Sequence, residues 1–446
     1  MPLRSGSIGY ARYLVQASGD SYAIPDEDLF AKLREHLLAP DIGEPKEIAS
    51  GFCTGRHVFD GEFTYDACGF GASLLAAMRV DTAAVPSEIK RAYRTMAEDS
   101  RKKAQRDLGR EGLPGLSRSD RKEAREEAED RCRRDLADGK YRRIAMLPFL
   151  WDLPSGALLA PSTSDKQFQE LKSLFDAALD LRLERRSAGT VALDILSELG
   201  TASALEDALP DALVKRPEGP ESDADDVHSG GNSGAATEFR KKGRPEVPWA
   251  QAGGEPNDFL GNLFLLWLWW HYDEHEGVVE AGDITVALAI EKSLDMECAW
   301  GVTGAQALRG DAPTKLIEAT KALQSGKWPR KMGLLLAAHG QEFRCTLHGD
   351  KFSVAGLVLP KGDQENRLSP RQMLEERIDA LLTFDRMLTL LYRAFLRERF
   401  GKSWETRAGQ LRAWIADRDR RRRSHVDAST EMKPARAAER VATPTA

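Results

Sequence analysis

Long uninterrupted apolar runs are missing from this 446-residue sequence, which argues against a membrane-spanning protein. The strongest candidate run, FLGNLFLLWLWWHYDEHE, is bounded by Asp258 and His271. It is too short, because a spanning helix needs roughly 20 consecutive apolar residues. The N-terminal stretch MPLRSGSIGYARYLV also lacks the basic, apolar and small-residue series of a secretory signal. We therefore expect a soluble, cytoplasmic protein with no membrane partner.

Cysteine is scarce, and the five cysteines are scattered without a C-x-x-C pair. Their odd number and wide spacing argue against a disulfide framework and a zinc ribbon, and suit a reducing compartment. The cysteines are Cys53, Cys68, Cys132, Cys298 and Cys345.

Short motifs for nucleotide binding and catalysis are missing as well. The chain has no G-x-x-x-x-G-K-[ST] loop, G-x-G-x-x-G fingerprint or G-x-S-x-G elbow, which removes the commonest nucleotide-binding and hydrolase classes. Scattered Asp and Glu leave a two-metal nuclease open, but nothing in the sequence marks out its carboxylates. We predict no cofactor and no catalytic residue, and we favour a non-enzymatic function.

The formal charge of −6 would ordinarily count against a nucleic-acid-binding protein. The average hides a local contrast, because the stretch Glu88–Arg143 carries 18 Lys/Arg against 13 Asp/Glu. That stretch has a net charge of +5, and the remainder of the chain carries −11. A basic surface is therefore expected within this stretch.

Hydrophobic patterning predicts an α+β fold, mainly antiparallel sheets with flanking helices. Strands are predicted for SIGYARYLVQ, the region around Arg56–Phe59, Ser73–Val80, the pair within YRRIAMLPFLWDLPSGALLAP, TVALDIL, DITVALAIE, LDMECAW, KMGLLLAA, EFRCTLHG and SVAGLVLP. Helices are predicted for DEDLFAKLREHLL, SDKQFQELKSLFDAALDLRL, APTKLIEATKALQ, Pro370 to about Phe400, and Trp404–Ile415.

Two charged helices, from Pro86 to about Arg106 and from Ser119 to Asp138, flank the turn GREGLPGLS and predict a helical hairpin. Because few of its residues are apolar, the hairpin cannot be deeply buried and should project from the body. The predicted organisation is an N-terminal α+β part (1–85), the charged hairpin (86–140), a strand-strand-helix-strand segment completing the first part (141–196), a disordered insertion (197–256), a C-terminal α+β part (257–417) and a disordered basic tail (418–446).

The tryptophan run around Trp267, Trp269 and Trp270 is apolar on nearly all sides of a helix. No basic residue is interleaved to hold phosphates, so we favour a core or subunit-interface helix over a base-stacking platform. His271 and His275 share a helical face beside acidic residues, a pattern that can bind zinc. Because H-E-x-x-H is absent, we favour a solvated helix end and predict no metal.

The order and spacing of several segments resemble the recombination-associated protein RdgC family, over roughly Ile8 to Phe400. The segments that carry the resemblance are VPSEIKRAY, LWDLPSGALLAPSTSDKQFQELKSLF, FLLWLW and LIEATKALQSGKWPRKMGLLLAAHGQEFRCTL. The resemblance implies a ring-shaped homodimer that encloses double-stranded DNA without reading its sequence. It also implies a nucleoid-associated protein that restrains recombinase filaments during recombination and replication restart.

Carried over by position, the family's DNA-facing residues fall on Arg106 and Arg309, the latter in the loop before the helix Pro313–Gln324, and its ring-gate residue falls on Tyr141. This chain departs from the family pattern in having Gly310 in place of an amide residue and Tyr141 in place of a phenylalanine. The remaining DNA-binding candidates are Arg101, Lys102, Lys103, Arg118, Arg121 and Lys122, with Arg142, Arg143, Lys327, Arg330 and Lys331 as a second group.

Each candidate has an alternative interpretation. Charged hairpin helices taken alone are more typical of a solvated face with i,i+4 ion pairs, and it is the resemblance that favours a DNA-facing surface. Tyr141 taken alone is an ordinary aromatic residue at a strand end. The alternative functions are a Mg²⁺-dependent DNA exonuclease, which needs an acidic cluster converging on the basic surface, and a scaffold that binds only protein partners.

Overall fold

The structure is a computed structural model that describes residues 3–17, 22–38, 47–107, 115–161, 164–214, 255–298, 300, 303–360 and 368–428. The chain forms two compact units. The first unit comprises Met1–Leu14, Leu159–Ser162 and Glu184–Ala446, and the second comprises Val15–Leu158 and Thr163–Leu183. The start of the chain thus belongs with the C-terminal residues, a grouping that the sequence did not predict.

The strands are β1 (Ile8–Ala17), β2 (Ile48–Cys53), β3 (Gly69–Phe70), β4 (Ser73–Ala83), β5 (Arg142–Asp152), β6 (Ala157–Ala160), β7 (Leu181–Arg186), β8 (Val278–Ala281), β9 (Ile284–Cys298), β10 (Gln306–Gly310), β11 (Lys327–Ala338), β12 (Gln341–His348) and β13 (Ser353–Val358). The α-helices are α1 (Glu27–Glu35), α2 (Tyr65–Cys68), α3 (Ser87–Asp107), α4 (Arg118–Ala137), α5 (Asp165–Leu179), α6 (Ala188–Glu198), α7 (Phe259–Glu274), α8 (Ile317–Gln324), α9 (Pro370–Arg399) and α10 (Trp404–Ala428). The predicted fold class, antiparallel sheets with flanking helices, is confirmed.

In the second unit, β4 is the central strand and pairs antiparallel with β2, β3 and β5. One face of this sheet packs on α5 through Phe52, Phe149 and Phe175, whose rings meet edge to face at 5.5 to 6.2 Å. The predicted start of α5 is confirmed, because Ser164 and Gln167 form a capping box. Buried aromatic contacts of this kind hold the unit together through area and ring geometry.

In the first unit, antiparallel strands follow the order β10-β9-β11-β12-β13-β1, and β8 pairs with β9. Helix α7 holds the tryptophan run, and every residue from Phe259 to Trp270 is buried. Trp269 is fully buried against the ring of Trp414, with centroids 5.7 Å apart. The run is therefore core, as predicted from its all-round apolar character.

Several local predictions are wrong. TVALDIL lies within α6, where Val191, Ala192, Ile195 and Leu196 are buried at helical spacing. The region Arg56–Phe59 is a turn, and the neighbouring strand is β2.

The boundaries of the predicted disordered segments are also wrong. Residues 197–214 include the end of α6 and a 3₁₀ turn at Ala202–Leu205, and Leu205 and Leu213 are buried. The predicted tail starts inside α10, which continues to Ala428. The rest of the predicted insertion (215–254) and of the tail (429–446) lies outside the described residues.

Candidate nucleic-acid interface

The charged helical hairpin consists of α3 and α4 and is inserted between two neighbouring strands. Ala83, the last residue of β4, is the register partner of Arg142, the first residue of β5. The chain therefore leaves and re-enters the sheet at adjacent positions, as an antiparallel helix pair requires. The bounds predicted from charge and from the glycine-rich turn agree with the structure to within a residue or two.

Polar contacts and small residues join the two helices of the hairpin. At the sheet end, the Tyr93 hydroxyl donates to Asp135 at 2.5 Å, and near the turn Gln105 donates to Asp120 at 2.8 Å. Between them, the buried residues are alanines: Ala97 on α3 and Ala124 and Ala128 on α4. An interface of this kind buries little apolar area, as predicted for helices with so few apolar residues.

Three of the predicted DNA-binding cations are held by carboxylates within the hairpin. Arg101 lies 2.5 Å from Glu123 and 3.6 Å from Glu127, so it bridges the two helices. Lys102 pairs with Asp99 at 3.0 Å, and Lys122 pairs with Glu126 at 3.7 Å. These contacts match the interpretation of a charged face laced with ion pairs, and they reduce the positive charge available to a ligand.

The other four hairpin candidates form what we call the tip cluster. Arg106 lies in the last turn of α3 and Lys103 one turn before it, and Arg118 and Arg121 lie in the first turn of α4. All four side chains are exposed, and within the described part of the chain none has a carboxylate partner. The Gln105–Asp120 hydrogen bond shows that these two helix ends lie side by side.

Helix stability does not account for the cations on α4. The N-terminus of a helix carries a partial positive charge, which disfavours Arg118 and Arg121 in the first turn. The Ser117–Asp120 capping box supplies the stabilising interactions at this end. Cations that the helix dipole disfavours in this way are suited to binding an external anion.

Tyr141 lies at the opposite end of the hairpin from the tip cluster. Its backbone is left-handed, with φ of 61°, and its side chain is half-buried. It lies close to Tyr93, whose hydroxyl donates to Asp135 at 2.5 Å. Hydrogen bonds from Lys140 and Tyr93 lower the pKa of Asp135. The residue is thus part of a polar cluster at the hairpin base, and the ring-gate role stays a prediction.

Arg309 belongs to the first unit, whereas the hairpin belongs to the second. Arg309 lies on strand β10 rather than in a loop, and the following segment is a 3₁₀ turn at Pro313–Lys315 before α8. The loop placement predicted from the sequence is therefore wrong. Its guanidinium lies 2.5 Å from Asp295 on the neighbouring strand, while 58% of the side chain is exposed.

Members of the second group of cations are largely engaged. Arg142 contacts the buried carboxylate of Asp81 at 2.7 Å, and Arg330 contacts Asp350 at 2.9 Å. Lys327 donates to Gln306 at 3.1 Å. Arg143 and Lys331 are exposed. On the hairpin, cations without a carboxylate partner among the described residues thus lie at both ends: the tip cluster near the turn, and Lys90, Arg131 and Arg134 toward the base.

The acidic end of the tryptophan helix is occupied by protein contacts. His271 and His275 have ring centroids 4.9 Å apart, and burial lowers the pKa of His271 to about 3. Asp273 pairs with Arg418, whose guanidinium lies over the ring of Trp269 at 4.5 Å. Asp273, Glu274 and His275 are nevertheless exposed, so the predicted solvated helix end is confirmed, with an ion pair that the sequence did not predict. Among the described residues, no group of three or more His, Cys, Asp or Glu could hold a metal ion.

None of the described helices combines the length and apolar character needed to cross a membrane. No family model matches the chain, and no curated protein matches it significantly.

Proposed function

We propose that the chain binds double-stranded DNA without reading its sequence, through the basic tip of the hairpin. The observation that carries the proposal is the tip cluster itself: four exposed cations on two helix ends that lie side by side, with no carboxylate partner among the described residues. Farther from the turn, Arg94, Arg125 and Lys140 pair with carboxylates, whereas Lys90, Arg131 and Arg134 are exposed without such a pair in the described part of the chain. Contacts with phosphates need little more than such cations, each of which neutralises a phosphate and releases counterions.

The resemblance to the RdgC family supports a wider form of the proposal. Two copies of the chain would enclose the duplex, with Arg309 as a further DNA contact and Tyr141 as a contact at the ring gate. A protein bound in this way would associate with the nucleoid and restrain recombinase filaments. Arg106 belongs to both the tip cluster and the family-derived set, whereas Arg309 and Tyr141 can be tested separately from the tip, because Arg309 lies in the other unit and Tyr141 at the opposite end of the hairpin.

Duplex binding is tested by a salt titration with a labelled duplex of about 40 base pairs. The logarithm of the association constant should fall by about 0.9 per phosphate contact for each tenfold rise in salt concentration. Two duplexes of unrelated sequence should bind equally, because phosphate contacts carry no sequence information. The DNA should stay intact with and without Mg²⁺.

Two outcomes would contradict the proposal. Shortening of the DNA only in the presence of Mg²⁺ would support the exonuclease alternative. An absence of binding even at low salt would support a scaffold that binds protein partners only.

A further inference from the structure

Phe59 in the second unit is displayed on the surface rather than packed inside. The side chain exposes 74% of its area, the largest fraction of any large apolar residue that the structure describes. Single exposed apolar residues are common and need no explanation by themselves. Phe59 is distinguished by the hydrogen-bonded loop that carries it and by the guanidinium group against its ring.

The loop that carries Phe59 is closed by hydrogen bonds. The Thr54 backbone N–H donates to the Asp60 carbonyl at 2.9 Å, and the Thr54 hydroxyl donates to the Asp60 carboxylate at 2.5 Å. The Phe59 N–H donates to the His57 ring at 3.3 Å, and the Glu62 N–H donates to Asp60 at 3.2 Å. These bonds fix the backbone of the loop at Phe59, which reduces the backbone entropy that would be lost on binding.

A fixed guanidinium lies against one face of the Phe59 ring. The Arg79 guanidinium carbon is 5.0 Å from the ring centroid, within the range of a cation–π contact. Arg79 donates to both oxygens of Asp81, at 2.8 and 2.6 Å. Arg142 donates to the same carboxylate at 2.7 Å. Burial alone would raise the pKa of Asp81, but the hydrogen bonds from Arg79 and Arg142 outweigh it and lower the pKa.

Around Phe59, the carboxylates are buried and two of the guanidinium side chains are more exposed. The carboxylates of Asp60 and Asp81 are only 6% and 3% exposed, whereas the Arg56 and Arg142 side chains are 57% and 33% exposed. An incoming ligand therefore meets a flat apolar ring with the Arg79 guanidinium against one face, while Arg56 and Arg142 expose part of their side chains and pair with the buried acids. The ligand that complements this surface is planar and apolar on its faces and carries anions beside the plane.

We propose that Phe59 is a stacking platform for an unpaired nucleobase of a single-stranded nucleic acid, where the local excess of guanidinium groups (Arg56, Arg79 and Arg142) over the carboxylates that they contact (Asp60 and Asp81) attracts the adjacent phosphates. The platform is separate from the tip cluster and goes beyond duplex binding. Base stacking on an aromatic side chain tolerates any sequence, because every base has a π face. A paired base inside a duplex cannot reach the ring, so the platform distinguishes single-stranded from double-stranded nucleic acid.

The test compares oligothymidylate of about 20 nucleotides with an abasic strand of equal length, because base–aromatic stacking contributes roughly 5- to 100-fold in affinity while phosphate contacts are the same for both strands. The wild-type chain should bind the thymidylate more tightly by about that factor. Phe59→Ala should remove the preference, and Phe59→Trp should keep it. Ile24→Ala, at another exposed apolar residue of the same unit, is the matched control and should change nothing.

The inference is overturned if Phe59→Ala binds oligothymidylate as tightly as the wild type, or if the wild type binds the two strands equally. Thermal unfolding of each variant verifies the fold, and an exposed position should tolerate the change. Duplex affinity reports separately on the tip cluster. Loss of duplex binding with a retained Phe59-dependent preference would contradict the proposed duplex function while leaving this platform in place.

Discussion

Replacing Lys103, Arg106, Arg118 and Arg121 together by alanine should lower duplex affinity on the order of 100-fold at about 0.1 M salt. The reason is that the tip cluster has no carboxylate partner among the described residues, so its charge is available to phosphates. The slope of log affinity against log salt should become shallower by up to about 3.6, which is about 0.9 for each lost contact. Fluorescence anisotropy of a labelled duplex across a salt series measures both quantities.

The matched control removes the same formal charge from paired positions. Arg94, Lys102, Lys122 and Arg125 each pair with a carboxylate of their own helix. Their joint replacement by alanine should cost less than about tenfold in affinity and leave most of the salt slope, because an ion pair already neutralises each cation. Equal losses from the two quadruple variants would show that affinity follows net charge, and the tip assignment would fail.

Arg309→Ala in the same assay tests the DNA-facing residue that the family resemblance supplies outside the hairpin. Asp295 already lies 2.5 Å from its guanidinium. We therefore expect a change in slope no larger than about 0.9, the value for one phosphate contact. A larger change would give Arg309 a greater share of the interface than its position on β10 indicates.

Asp385→Ala should destabilise the first unit by about 3–5 kcal/mol, because removing one partner of a buried ion pair leaves the other charge uncompensated. Arg12 on β1 lies 2.6 Å from Asp385 on α9, with only 7% and 17% of the two side chains exposed. The Tyr10 hydroxyl donates to the same carboxylate at 2.8 Å, and the Arg12 guanidinium also contacts the Phe352 carbonyl at 2.6 Å.

Urea unfolding followed by far-UV circular dichroism measures this loss. Asp379→Ala, at an exposed position of the same helix, should stay within about 0.5 kcal/mol of the wild type. Asp385→Asn keeps a hydrogen-bond acceptor for Tyr10 and separates the loss of charge from the loss of the side chain. A loss below about 1 kcal/mol for Asp385→Ala would mean that water screens the pair as it would at the surface.

Local patterns in the sequence predicted the elements whose partners are close along the chain. The hairpin, the capping box of α5 and the burial of the tryptophan helix all follow from spacing within a few residues. TVALDIL was misassigned because its β-branched residues favour a strand, while burial at helical spacing selects a helix.

Contacts between distant segments could not be predicted. Arg12 and Asp385 are far apart in sequence, and nothing in either segment identifies the other as its partner. The same holds for Arg101, whose carboxylate partners lie on the opposite helix of the hairpin. Phe59 was missed because one phenylalanine in a turn carries no pattern, and only the structure shows Arg79 beneath it.

Site-specific crosslinking tests most directly whether DNA contacts the tip of the hairpin. A photoreactive benzophenone amino acid placed at Ala104, which is exposed beside the tip cluster, should crosslink to a bound duplex upon irradiation. The same group at Ala137, exposed at the base end of α4, is the control and should crosslink weakly. Strong crosslinking at Ala104 alone is the result that the account predicts. Crosslinking at Ala137 without any at Ala104, under conditions where the duplex is bound, would contradict it.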